Sequence, residues 1–505
     1  MPIPVYDWLR HHAQWQPDKL AAVDVDSGRR LTYAALDERV TRLARALADR
    51  HGIEKGDRVA VLATNSTDQL EIQFAAQKLG FIFLPLNWRL AVPELDYICR
   101  DSSPSLLVYH ADMSETALEI AKRAGIQATL DVADGAASAF ERAIAGASAG
   151  PLPSPGLTHD DAWSIIYTSG TTGRPKGALL THGQMFFNAV HCALHMALSP
   201  SSVSLTFLPM FHVGGLCVYL APTVYFGGTN FVTRGFDAAQ CLRLMADKTV
   251  GLTHGFAVPT NLIMMQQLPE FAAAEFSHLV SVGIGGAAPS PTLLATFNAK
   301  GMNLQHAWGM TETATLGLVL SPDKAIEKIG AAGRPVLHTE IRIVDANGMD
   351  CAAGAVGELL IMGPTVTPGY WNKPEANALS FSDGWFRTGD AAVADAEGYV
   401  SIVDRWKDMY ISGGENVYPA EVENVLYQMN AVAECAVIGI PHDKWGEVGR
   451  AFIVIKPGAS ITAQSIITHC RAQLARYKVP AEVHFAPELP HNATGKVTKH
   501  ALPKD

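Results

Sequence analysis

The sequence predicts an α/β protein with doubly wound α/β sheets in a large amino-terminal domain, a small β-barrel or sheet after them, and a small α+β domain at the carboxyl end. Three observations carry this. Strand-length apolar runs alternate with stretches of helical periodicity between residues 31 and 109, the pattern of a parallel, layered sheet. The alternation resumes beyond a loop rich in glycine and hydroxyls at 168–177. From about residue 333 it gives way to short apolar runs separated by glycine turns. With 505 residues, 48% of them hydrophobic, the chain is long enough for several cores and is expected to divide into two or three domains.

Leu31-Thr32-Tyr33 opens a helix in which Leu36, Val40, Leu43 and Leu47 recur at helical spacing, with Thr32 as N-cap. After the turn at Gly56-Asp57 come a strand at 58–63, a helix at 69–79, a strand at 81–85, a helix at 93–100 and a strand at 105–109. Residues 145–156, dominated by Ala, Gly, Ser and Pro, read as an exposed connection. Trp163-Ser164-Ile165-Ile166-Tyr167 is a strand feeding the central loop. Beyond the loop, the pattern predicts a strand at 204–209 and a helix from Phe211 to Ala221. An apolar strand at 279–284 then ends in Gly285-Gly286-Ala287-Ala288-Pro289. The runs 340–344 and 357–361 belong to the β-rich segment. The final unit begins with a helix near Pro419 that carries Val422, Val425, Leu426 and Met429, followed by strands at 433–440 and 450–456 and a helix at 462–474.

The net charge of −10 is spread along the chain without a basic block, which argues against a nucleic-acid partner and for an anionic ligand held locally. The amino terminus has neither the cationic nor the apolar region of a secretory signal, and no apolar run reaches the roughly 20 residues of a membrane span. The seven cysteines are scattered and never form a C-x-x-C pair, as expected of reduced thiols in the cytoplasm. His191 and His195 have metal-ligand spacing, but their apolar flanks and lack of a neighbouring carboxylate favour packed histidines.

Five stretches look chemical. Thr168-Ser169-Gly170-Thr171-Thr172-Gly173-Arg174-Pro175-Lys176-Gly177 joins close-approach glycines to hydroxyl and cationic donors, a cradle for phosphate oxygens. It lacks the spacing of the nucleotide-triphosphatase P-loop, and Leu179-Leu180 stands where that motif would start a helix. Trp308-Gly309-Met310-Thr311-Glu312 sets a hydroxyl beside a carboxylate, and Trp385-Phe386-Arg387-Thr388-Gly389-Asp390 puts a carboxylate on a tight turn. Asp404-Arg405-Trp406-Lys407-Asp408, followed by Ser412-Gly413-Gly414-Glu415-Asn416, marks a domain junction. Pro490-His491-Asn492-Ala493-Thr494-Gly495-Lys496 presents a lysine on a terminal loop.

This set, in this order and over essentially the whole chain, resembles the adenylate-forming superfamily of acyl-CoA synthetases, peptide-synthetase adenylation domains and beetle luciferases. The resemblance implies a two-step ligase that uses ATP, Mg²⁺ and coenzyme A. A carboxylate attacks the α-phosphate of ATP to give acyl-AMP and pyrophosphate, and a thiol then displaces AMP. It further implies that Thr168, Ser169, Gly170, Thr171, Thr172, Gly173 and Lys176 hold the β- and γ-phosphates, that Thr311 binds the α-phosphate and that Glu312 holds the metal. Gly285, Gly286, Ala287 and Ala288 would form one wall of the adenine slot, with Trp308-Gly309 opposite. The family more often has Tyr at position 308, so the stacking face is retained without the phenol. Asp390, backed by Arg405, suits the ribose hydroxyls.

By the same resemblance an adenylation domain spans 1–403, including the β-rich part at about 333–403, and a mobile lid spans 404–505 with its hinge at Asp404. Lys496 would bridge the substrate carboxylate and the α-phosphate, and after lid rotation Ser412, Gly413 and Gly414 would line the channel for the thiol arm. His212 matches the family aromatic at the acyl site, which is expected among Val213, Gly214, Val258 and Gly283. With no Arg or Lys there to pair a second carboxylate, the expected substrate is an apolar monocarboxylic acid. A medium- or long-chain fatty acid is favoured, and an aryl acid of hydroxycinnamate or benzoate type is the alternative. The chain ends nine residues after Lys496, so a free thiol acceptor is expected over a fused carrier domain. A luciferase-like oxygenase and a nucleotide-binding module without turnover are the remaining rivals. Peripheral contact with a membrane and the oligomeric state are left open by the sequence.

Overall fold

The computed structural model describes residues 2–134, 138–168, 175–286, 289–405, 408–412, 415–442, 444–492 and 497–504, with the backbone alone at 405, 415 and 416. A large amino-terminal α/β domain with mixed sheets is followed by a smaller α+β domain. Among the described residues there are four sheets.

The first sheet runs, edge to edge, through Ala128–Val132, Leu106–His110, Arg58–Leu62, Ile82–Pro85, Ala162–Thr168 and Lys176–Thr181. All its pairs are parallel except the last. The second centres on the parallel strands Leu304–Trp308, Ser281–Ile284, His254–Ala257, Val203–Thr206, Thr229–Val232 and Leu20–Asp24, with antiparallel strands only at its two edges. Where the sequence left a barrel or a sheet, the β-rich segment is a five-stranded antiparallel sheet built on Trp385–Ala394, which pairs with Val356–Met362, Phe381–Ser382 and Val400–Arg405. The last sheet pairs Val432–His442 with Gly446–Ile455 and belongs to the carboxyl-terminal unit, whose apolar cluster includes Val422, Leu426, Val437, Ile453 and Ile466.

Local signals account for most boundaries. The Thr32 hydroxyl accepts from the Ala35 amide to start Tyr33–His51, and Gly52, at φ 63°, ends it in the left-handed region that glycine adopts most cheaply. Thr181 and Gln184 cap His182–Met196 reciprocally. The helix expected from Phe211 to Ala221 takes a different form: a short turn at Val213–Gly215, a π-helix at Leu216–Leu220 and an α-helix at Ala221–Phe226. Pro222 is the physical reason. It has no amide proton to give, and its ring crowds the preceding turn, so the widened turn comes just before it.

One polar side chain fastens the first sheet to the second. Asn65, buried just beyond Arg58–Leu62, donates to the Leu208 carbonyl (2.9 Å) and accepts from the Met210 amide (2.8 Å), fixing the segment that leads to His212. Asn65→Ala strands both backbone groups out of reach of water, at about 1–3 kcal/mol for each unsatisfied group. The expected result is a clearly lowered denaturation midpoint in urea, and an unchanged midpoint would show that the two sheets do not depend on this side chain.

Candidate active site

The parallel strands of the second sheet deliver their carboxyl ends to one edge. His212 follows Val203–Thr206, Val258 follows His254–Ala257, Gly285 follows Ser281–Ile284, and Trp308-Gly309 closes Leu304–Trp308. Ligands of open α/β sheets bind beyond such strand ends. Gly309 is required there by space: a Cβ on it would lie 1.4 Å from the Thr315 carbonyl oxygen. The turn that packs against it holds Ala314 at φ 51° and Thr315 at φ 113°, costly conformations for residues with a Cβ. The Thr315 hydroxyl is tied down by Asn188 Oδ1 at 2.7 Å, while Asn188 Nδ2 donates to the Cys217 carbonyl.

Thr311 and Glu312 are buried in the short helix Thr311–Thr313. The Glu312 carbonyl accepts from the Thr367 amide at 2.7 Å, and its carboxylate Oε1 accepts from the Tyr370 hydroxyl at 2.8 Å. Lys176 Nζ lies 5.2 Å from the centre of the Tyr370 ring, within cation–π range. Tyr370 therefore joins the acid to the lysine. Lys176 opens the return strand of the hairpin whose outgoing strand ends at Thr168, and Thr168 Oγ1 lies 3.5 Å from the Lys176 carbonyl. Ser169, Gly170, Thr171, Thr172 and Gly173 lie outside the described residues, as do Ala287, Ala288, Gly413, Gly414, Lys496 and the side chain of Arg405.

Trp308 and Asp390 are brought together. The indole Nε1 donates to Asp390 Oδ2 at 2.8 Å, with both residues buried. The indole packs against Gly317 in a cluster with Leu318, Leu359, Ile361 and Phe386, so the second domain layer and the β-rich sheet share this side chain. The Asp390 amide donates to Thr388 Oγ1, which itself donates to the Leu359 carbonyl, and this sets the turn at Gly389. His212 accepts from the Gly214 amide through Nδ1 (3.1 Å), and burial pulls its pKa down to about 4. It is neutral at physiological pH. Val213 belongs to the large core between the two sheets, whereas Gly286 is exposed at φ 78°.

At the junction, Asp404 pairs through its backbone with Ala391, and its carboxylate accepts from the Ala420 amide at 2.8 Å, capping Pro419–Leu426. Ser412 is buried at the end of Tyr410–Ser412. His191 and His195 face one another across Leu337, His191 Nε2 donating to its carbonyl at 2.7 Å and His195 Nε2 accepting from its amide at 3.3 Å.

The residues that sequence reasoning missed are Tyr370, Asn65 and Asn188. Their neighbours in sequence carry no motif, and each acts through a partner at least 29 residues away.

The family of AMP-binding enzymes matches residues 9–371, and the carboxyl-terminal domain of AMP-binding enzymes matches residues 421–496. The chain belongs to the AMP-binding enzyme family. A feruloyl-CoA synthase of Amycolatopsis is 40% identical over 495 residues, 97% of each chain. A long-chain-fatty-acid–CoA ligase of Mycobacterium tuberculosis is 38% identical over 501 residues, 98% of this chain and 97% of that one. Among solved structures, ATP-bound MatB from Rhodopseudomonas palustris superposes with a TM-score of 0.90 at 32% identity, covering 98% of this chain and 97% of that one. This AMP-binding enzyme is thus an acid–thiol ligase of the AMP-forming acyl-CoA synthetase type. No helix among the described residues is long and apolar enough to cross a membrane.

The Trp308–Asp390 bond gives a direct test of the site's rigidity. Trp308→Phe removes both the donor to a buried carboxylate, an interaction worth about 1.5–3 kcal/mol, and the part of the indole that packs against Gly317. Guanidinium denaturation of this variant should show a loss of at least that size, and wild-type stability would mean that Asp390 draws nothing from the indole.

Proposed function

We propose that this enzyme is an ATP-dependent acid–CoA ligase for an apolar monocarboxylic acid, a class that takes in fatty and aryl acids, and that it carries out both half-reactions at one site. The observations that carry the reading are the Tyr370 contacts to Glu312 and Lys176 and the Trp308–Asp390 pair, with Trp308 and the neutral His212 both placed at or beyond carboxyl ends of strands of the second sheet.

In the first half-reaction a carboxylate oxygen of the acid attacks the α-phosphorus of ATP, the bond to the β-phosphate oxygen breaks, and pyrophosphate leaves. The loop at 168–176 and Lys176 neutralise the departing charge, and Thr311 donates to the α-phosphate. Asp390, oriented by the indole of Trp308, accepts from the ribose hydroxyls. Glu312 presents carboxylate oxygens, the kind of ligand a hard divalent cation takes, so it would fit Mg²⁺, which supplies charge neutralisation on the phosphates when bound. Lys496 bridges the incoming carboxylate and the α-phosphate. In the second half-reaction the CoA thiolate attacks the acyl carbonyl and AMP leaves, with Ser412, Gly413 and Gly414 lining the thiol's path once the lid at 404–505 has turned about Asp404. The bonds of Asp404 to both Ala391 and Ala420 support the hinge assignment, since one residue is held by the two pieces.

The acid's class follows from charge. His212 is neutral, and Val213, Gly214, Val258 and Gly283 bring no cation to meet a second carboxylate, whose burial unpaired would be costly. The relatives at 40% and 38% identity are named for a feruloyl and a long-chain fatty acyl group, in keeping with an apolar acid.

AMP release that requires both CoA and an apolar acid is the test of the reading, and oxygen uptake or nucleotide binding without turnover would replace it with a rival. Lys496→Ala is expected to abolish acyl-AMP formation, by at least about 100-fold as for loss of a transition-state charge contact, while thioester formation from supplied acyl-AMP is retained. Equal loss of both halves would refute the exchange of lid faces. Malonate should be a poor substrate in the same assay, and robust malonyl-CoA formation would overturn the charge argument.

A further inference from the structure

The acid site just proposed is bordered by Gly214 and Gly283, Gly285 of the proposed adenine wall follows the same strand, and a single ring borders all three. A Cβ on Gly283 would lie 2.5 Å from Phe256 Cδ2 and 2.6 Å from Met196 Cε; one on Gly285 would lie 3.0 Å from Phe256 Cζ; one on Gly214 would lie 3.9 Å from Phe256 Cε1. The register explains why. Phe256 is the direct partner of Gly283 across parallel strands, so its side chain leaves the sheet on the face where Gly283 has none. The room left by the glycines is thus partly taken by a side chain from the neighbouring strand.

Behind the ring the molecule is apolar and closed. Phe256 is itself half-buried and packs at the margin of a cluster of Cys192, Met196, Leu198, Tyr219, Ala307 and Leu316, all buried. The polar atoms there are satisfied within the protein: the Tyr219 hydroxyl lies 3.2 Å from Ser281 Oγ, and His254 Nε2 lies 3.1 Å from the Met196 carbonyl. The Phe256 ring thus stands between Gly214 and this interior.

We propose that Phe256 is a specificity-determining residue that sets the depth of the acid site. It restricts the enzyme to compact acids, with a single aromatic ring or a short chain. Trimming it opens the way toward Met196 and Tyr219 for longer chains. A flat aryl acid gains an edge or face contact with the ring that an extended chain does not. The proposal rests on the acid–CoA ligase reading and narrows it toward the aryl alternative.

The test uses the full chain with ATP, Mg²⁺ and CoA, and measures kcat/KM for AMP release on benzoate, cinnamate and ferulate and on straight-chain acids from hexanoate to palmitate. The wild-type enzyme is expected to favour the aryl and shortest acids. Phe256→Ala should raise the ratio of kcat/KM for laurate over cinnamate at least about tenfold, the discrimination that one or two methylenes command in an apolar pocket. Phe256→Leu should give a smaller shift in the same direction, and it decides the matter should the alanine variant fail to fold. A wild-type enzyme equally active on palmitate and cinnamate, or a folded Phe256 variant with the wild-type ratio, overturns the proposal while leaving the ligase reading intact. AMP release with no acid of the panel defeats the ligase reading and the proposal with it.

Discussion

The site depends on the return strand Lys176–Thr181 being held along both edges. One edge pairs with Ala162–Thr168 in the first sheet. The other would be a row of unpaired amides and carbonyls, but residues 367–371 cover it: the Leu179 amide donates to the Gly369 carbonyl, the Trp371 amide to the Gly177 carbonyl, and the Thr367 hydroxyl to the Leu179 carbonyl at 2.7 Å. The same five residues reach the acid, because the Thr367 amide bonds the Glu312 carbonyl and the Tyr370 hydroxyl bonds its carboxylate. These bonds hold the strand that carries Lys176 and the turn that carries Glu312 against one segment. Donors and acceptors that need no rearrangement when charge develops are the most effective kind.

Buried amides and one indole extend this order through the rest of the molecule. Asn65 joins the first sheet to the segment before His212, Asn188 joins a helix to both the π-helix and the turn after Glu312, and Trp308 joins the second sheet to the turn of Asp390. Apolar packing alone tolerates small slips, whereas a buried hydrogen bond lost to a slip costs the full desolvation of both partners. Each bond thus fixes the relative position of two layers that hydrophobic burial only presses together.

Much of this was legible in the sequence, and what was not shares one property. Hydrophobic period and cap residues act over a few positions, so the helix after Thr32, the strand before the central loop and the helix after Thr462 could be read directly. The motifs at 168–177, 308–312 and 385–390 were visible because their chemistry is concentrated in adjacent residues. Tyr370 lies 58 positions from Glu312, and Asn65 lies 143 from Leu208; nothing in their own neighbourhoods marks them. Phe256 is an ordinary strand residue until the register sets it opposite Gly283. Trp308 could be read as a flat face, but the direction of its Nε1 emerges only once the β-rich sheet has packed against it.

The junction carries the last step of the argument. Asp404 is fixed to the larger piece by backbone pairing with Ala391 and to the smaller by its carboxylate at the start of Pro419–Leu426. Near that carboxylate Lys499 pairs with Glu423 at 2.8 Å; burial pulls the ammonium down, but Glu423 and then Asp404 outweigh it and leave its pKa above the ordinary value. Lys499 is three residues from Lys496. One cluster of charge thus ties Asp404, the helix Pro419–Leu426 and the segment around Lys499. The Ala420 amide and the Lys499–Glu423 pair belong to the smaller piece, so any movement of that piece against Ala391 must either break the backbone pairing of Asp404 or pull its carboxylate from the helix it caps.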